Sequence, residues 1–88
     1  MPLISHFYGI LIYIYKEIGG QHNVPHFHAK YAEFEAVFDL DGNIVTGELP
    51  TNKSKLVEVW CSLHREELNA AWRAWNESNE TVKIEGLR

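Results

Sequence analysis

His26-Phe27-His28 is where the chain concentrates its chemistry, and three of its five histidines fall between His22 and His28. The residues from His26 onward read as a strand, on which alternate side chains share a face. His26 and His28 then point one way and Phe27 the other. A second strand read as pairing with this one sets Asp39 across from His26. Imidazole and carboxylate are the ligand set of catalytic zinc and non-haem iron centres. The metal reading therefore takes His26, His28 and Asp39 as convergent ligands, with zinc or another transition metal as cofactor. His22 in the preceding loop and Glu48 one strand further on extend the same polar binding face. A His-x-His pair is also what a solvated face offers when a histidine pairs with a carboxylate across strands. The spacing leaves both readings open.

Other reactive side chains are less well set up. Cys61 reads as a small buried hydrophobe on a helix flank. His64 is one turn away, but a thiolate nucleophile needs an open, electropositive setting. Glu67 falls inside the apolar stripe drawn for that helix, so it needs a partner, and His64 three residues earlier is a candidate. Gly19-Gly20 lies between strands and opens no helix, so no phosphate-cradling loop is present.

The elements that position these groups follow from patterning. Ile10–Tyr15 is β-branched and aromatic on both faces, which suits an inner strand. His26–Tyr31 and Phe34–Leu40 form a hairpin around Ala32-Glu33. In that register Tyr31 faces Phe34, Ala29 faces Ala36 and Phe27 faces Phe38, all on one apolar face. Lys30 and Glu35, His28 and Val37, and His26 and Asp39 share the other. A one-residue slip would scramble this sorting. Asp41-Gly42-Asn43 is a turn signal, and the strand Ile44–Leu49 then puts Val45, Gly47 and Leu49 on the core side. Thr51 or Asn52 caps a helix that meets no breaker until Asn76–Asn79, about 24 residues and ~36 Å. Its stripe runs through Leu56, Trp60, Leu63, Ala70, Ala71 and Ala74. Leu68, Trp72 and Trp75 widen the arc beyond what one sheet face covers and are expected to form an interface with a homodimer mate or a small cognate protein. The competing expectation is that the tail, through Val82 and Ile84, folds back over them; Thr81–Ile84 reads as a short last strand. The fold class is α+β: a mainly antiparallel sheet of four to five strands, packed on one face by a single long C-terminal helix.

Composition sets the outer bounds. Eighty-eight residues, 45% hydrophobic and 23% charged, make one globular domain spanning 1–88. The net charge is −4 and the eight basic residues do not cluster, which argues against nucleic acid as a partner. The apolar run over residues 7–15 is far short of the ~20 residues that span a bilayer, so no membrane is expected. A lone cysteine fits a cytoplasmic protein.

Ile4 to Ile10, His22-Asn23-Val24-Pro25-His26-Phe27-His28-Ala29, Tyr31 to Asp39, Gly47-Glu48-Leu49-Pro50 and Trp60 to Leu68 with Trp72 together resemble a bacterial and phage-borne family described as domain of unknown function 4160. The resemblance covers nearly the whole chain. It implies a small α/β domain whose gene neighbours another small gene, as in toxin–antitoxin-like pairs, and some members are called transcriptional regulators. The chain departs from the family at His6, where an arginine is usual, at Ala32, where a glycine is usual, and in a longer loop around Ile18-Gly19-Gly20. Three function classes follow: a protein-interaction module, a metal- or His-dependent hydrolase or nuclease, and a DNA-binding regulator. The acidic balance counts against the third.

Overall fold

A computed structural model describes residues 2–14 and 24–88. Five strands, β1 (Leu3–Phe7), β2 (Ile10–Tyr13), β3 (His26–Tyr31), β4 (Phe34–Asp39) and β5 (Ile44–Glu48), form one antiparallel sheet in the order β1-β2-β3-β4-β5. Two helices follow, α1 (Thr51–Leu63) and α2 (Arg65–Ser78). The β3–β4 register is the one that side-chain sorting dictates, from His26 opposite Asp39 to Tyr31 opposite Phe34. β2 lies inside the sheet, in keeping with its two apolar faces.

Two tight turns rest on left-handed backbone. β1 and β2 are joined by Tyr8-Gly9, with φ of +50° and +80°, the signature of a type I′ turn that matches strand twist. Ala32 between β3 and β4 has φ +51°, a conformation that costs a residue with a Cβ about 1–2 kcal/mol. A glycine or asparagine would take this backbone at less cost.

The core joins Ile4, Phe7, Ile10, Ile12, Phe27, Phe38 and Leu40 of the sheet to Val57, Trp60, Cys61, Leu68 and Ala71 of the helices. Trp60 is fully buried, 5.3 Å from Phe7 and edge-on to Phe27 at 5.7 Å between ring centroids. This places α1 on the Phe27 side of the sheet.

The single long helix is in fact two. A straight helix over Thr51–Ser78 would be ~42 Å long, whereas the longest dimension of the molecule is 33 Å. The chain breaks at His64 (φ −121°, ψ 28°) so that the second half stays on the protein. The buried stripe is also turned relative to the expected one: it runs through Val57, Trp60, Cys61, Leu68 and Ala71, while Leu63 is 65% exposed and Ala70 is exposed. Glu67 leaves the interior with this rotation and becomes an exposed acid in the first turn of α2, where the helix dipole favours it. Pro50, not Thr51 or Asn52, caps α1, its carbonyl accepting from the N–H groups of Lys53 and Ser54 at 2.9 Å. Asn79 ends α2 in a left-handed cap.

Two further corrections concern strands. β1, to which sequence patterning assigned no element, supplies the fifth strand, and the tail supplies none. Instead the tail runs beside β1 in the same direction. The Ile84 N–H donates to the Ile4 carbonyl at 2.8 Å, and Gly86 lies so close that a Cβ there would meet the His6 carbonyl oxygen at 2.4 Å. The Trp60 indole N–H donates to the Glu85 carbonyl at 2.9 Å and ties the tail to α1. In β5, Val45 is 63% exposed rather than core-facing, because the ladder slips a residue between Val37 and Phe38 and Thr46 and Ile44 become the paired positions. Gly47 follows at φ +80°, where a Cβ would meet the Glu35 carbonyl oxygen at 2.3 Å.

Candidate functional site: the histidine face and the sheet edges

Strand alternation turns His26 and His28 away from Phe27 and α1, and their rings stand 5.7 Å apart. Both are held through Nδ1. The His26 Nδ1 is 2.8 Å from the Val24 carbonyl, which can only accept, so that nitrogen carries the proton. Pro25 biases Val24 toward an extended backbone. The His28 Nδ1 faces the Glu35 carboxylate at 3.4 Å. A carbonyl or carboxylate partner at one ring nitrogen is also what orients metal-binding histidines.

The other expected members are placed differently. Asp39 is the backbone partner of His26, but its carboxylate shapes the turn after β4. Oδ1 accepts from the N–H groups of Asp41 at 2.9 Å and Asn43 at 3.0 Å, and Oδ2 from Asn43 Nδ2 at 3.4 Å. This is the local side-chain-to-backbone bonding for which aspartate is favoured in turns. Glu48 is exposed on β5, paired in register with Glu35. His22 lies outside the described residues. Among the described residues, no three His, Cys, Asp or Glu side chains are gathered as metal ligands would be.

Two side chains contact the histidines that the sequence reading had placed elsewhere, Glu35 opposite Lys30 and Trp72 at an interface. Glu35 reaches diagonally to His28, while Lys30, its direct partner in the ladder, sits 5.3 Å over the Tyr13 ring instead. The register contained that diagonal, but direct opposition favoured Lys30. The second is Trp72, whose ring lies 5.1 Å from His26. The histidine side of the sheet is therefore not free of helix: α2 reaches it at the end of β3. Trp72 and Trp75 pack as partly buried residues against the core, together with Val82 of the tail, and Leu68 is wholly buried inside the chain. The chain itself thus covers Leu68, which cannot form an exposed overhang.

Cys61 is 1% exposed. Burial, followed by the negative charge of Asp39, pushes its thiol up from 9.0 to about 12, so it has no thiolate character near neutrality. His64 Nδ1 is 2.6 Å from Glu67 Oε1 and marks the helix junction.

The two edges of the sheet differ. β1 is lined by the tail, whereas every residue of β5 is exposed, including Ile44 at 43% and Val45 at 63%. β5 contains neither proline nor lysine, the residues that commonly blunt an edge, and Glu48 is its one charge.

The family model described as Domain of unknown function (DUF4160) matches residues 9–73. The chain belongs to this family. The match takes in β2 to β5, α1 and α2 as far as Arg73, and so His26, His28, Asp39, Gly47 and Trp72. β1 and the tail beside it fall outside the match. No curated protein and no solved structure matches the chain.

Proposed function

We propose that this DUF4160 protein is a small bacterial, cytoplasmic protein-interaction module, one component of a toxin–antitoxin-like gene pair, that works by accepting a strand at β5. The observation that carries this reading is the β5 edge, which no strand among the described residues pairs, with apolar Ile44 and Val45 exposed on it while the opposite edge is lined by the protein's own tail. An edge strand binds an extended segment through main-chain hydrogen bonds, and the exposed side chains select it. The free, buried Cys61 is compatible with a reducing compartment. Among the described residues no helix is long and apolar enough to cross a membrane. The test is calorimetric titration with the product of the neighbouring small gene. Binding that weakens at least tenfold in Val45→Lys, a substitution at a residue outside the core, supports the reading. Binding indifferent to that substitution removes it.

The second reading, a metal- or His-dependent hydrolase or nuclease, is favoured by one observation: both imidazoles are held through Nδ1 by acceptors. Zinc is the first metal to test, since imidazole is among the ligands of its catalytic sites. His22 is then the third donor to try. Zinc titration of untagged protein should give heat that disappears in His26→Ala. An untagged parent protein that shows neither heat nor a thermal shift ends this reading.

A further inference from the structure

We infer that the segment accepted at β5 is basic, with a lysine or arginine side chain lying between the carboxylates of Glu35 and Glu48. This rests on the strand-accepting role proposed above and names the chemistry of the partner. At this end the β4–β5 ladder is regular: Glu48 pairs with Glu35, Gly47 with Ala36 and Thr46 with Val37, and the slip comes only beyond Val37. Ala36 is buried in the core, so alternation turns Glu35 and Glu48 to the other face of the sheet, the one that carries His28. Directly opposed residues have Cβ atoms about 4.5–5.5 Å apart, and like charges so placed repel.

No lysine or arginine among the described residues neutralises the pair. Lys30, the ladder partner of Glu35, sits over the Tyr13 ring at 5.3 Å. Glu35 meets the His28 Nδ1 at 3.4 Å, and Glu48 forms no ion pair among the described residues. Both acids are exposed. Beside them lies a cleft of about 310 Å³ lined by His28, Glu35, Val37 and Thr46. A strand laid on β5 sets alternate side chains on this face, so one of them comes beside Glu48. An arginine there can bond both oxygens of a carboxylate, and a lysine supplies the same charge. An acidic side chain would add a third like charge and be rejected. Apolar neighbours on the same segment fit Ile44 and Val45, exposed by 43% and 63%. The net charge of −4 draws a basic segment from a distance at low salt.

The probes are two short synthetic peptides that share alternate valines and carry either lysine or glutamate at the positions between. Calorimetric titration of the full chain should show the lysine peptide binding at least tenfold tighter than the glutamate peptide. That preference should shrink as salt rises from about 50 to 300 mM. In the double variant Glu35→Gln/Glu48→Gln the preference should disappear while the shared, apolar part of the binding remains. Urea unfolding checks that this variant is folded, and it should be at least as stable as the parent because a like-charge pair is gone. A lysine peptide that does not bind, equal binding of the two peptides, or a preference that survives the double variant overturns the inference. The last result would assign the preference to net charge alone. If the peptides bind equally but Val45→Asn weakens both, only the basic-partner inference fails. If binding is also indifferent to Val45, the strand-accepting reading fails with it.

Discussion

At the scale of single residues, Cys61 shows how burial silences a reactive group. Its thiol is raised from 9.0 to about 12, first by burial and then by Asp39. Because the folded value exceeds the unfolded one, the folded state holds this proton while the unfolded chain releases it. The associated stability is present in full below about 9 and is lost as pH rises toward about 12. Denaturant unfolding should therefore show stability falling over that window, with the fall reduced in Cys61→Ala. Native protein at pH 8 should react with a thiol reagent only as fast as it opens. Ala32 and Gly47 make the converse point about backbone. Ala32→Gly should stabilise the protein by about 0.5–1 kcal/mol, the relief of left-handed strain outweighing glycine's entropy. Gly47→Ala meets both a φ of +80° and the Glu35 carbonyl, and should destabilise by about 2 kcal/mol or more. Urea titration measures both changes.

At the scale of elements, the helix break and the tail are two ways of closing one small core. α1 and α2 bend at His64 to keep Leu68 and Ala71 on the protein. Glu67 supports the start of α2 by its charge at the helix N-terminus and its contact with His64. Because that acid is 52% exposed, Glu67→Ala should cost only about 0.5 kcal/mol, measurable by thermal unfolding. The tail is held by backbone closeness more than by side chains. Gly86→Ala puts a Cβ against the His6 carbonyl and should loosen residues 84–88 together. The readout is faster amide exchange at Ile84 and a shift in emission from Trp60, whose indole donates to Glu85.

For the whole molecule, all four strand pairings join sequence neighbours, while the tail contact joins residue 84 to residue 4. Local pairings close small loops and form early; the end-to-end contact closes nearly the whole chain. Stopped-flow kinetics should show Gly86→Ala speeding unfolding with little change in the folding rate, and substitutions in the β3–β4 hairpin slowing folding.

The sequence by itself determined whatever depends on near neighbours and on period. The β3–β4 register is legible because alternation leaves one way to put Phe27, Ala29, Ala36 and Phe38 on a single face. The inner position of β2 and the end of the helical region near Asn79 follow from equally local signals. The same locality set the limits at the candidate site. The sequence placed Asp39 across from His26, as it is, but the following turn takes its carboxylate. Only the tertiary structure decided the rest. The helix breaks at His64, and a straight one would outrun the 33 Å molecule, a dimension no window of residues contains. The bulge at Val45 depends on how β5 meets β4. Trp72 reaches His26, and the tail reaches β1, because distant segments compete to cover one core. The choice among those partners is made by packing over the whole chain, which periodicity does not encode.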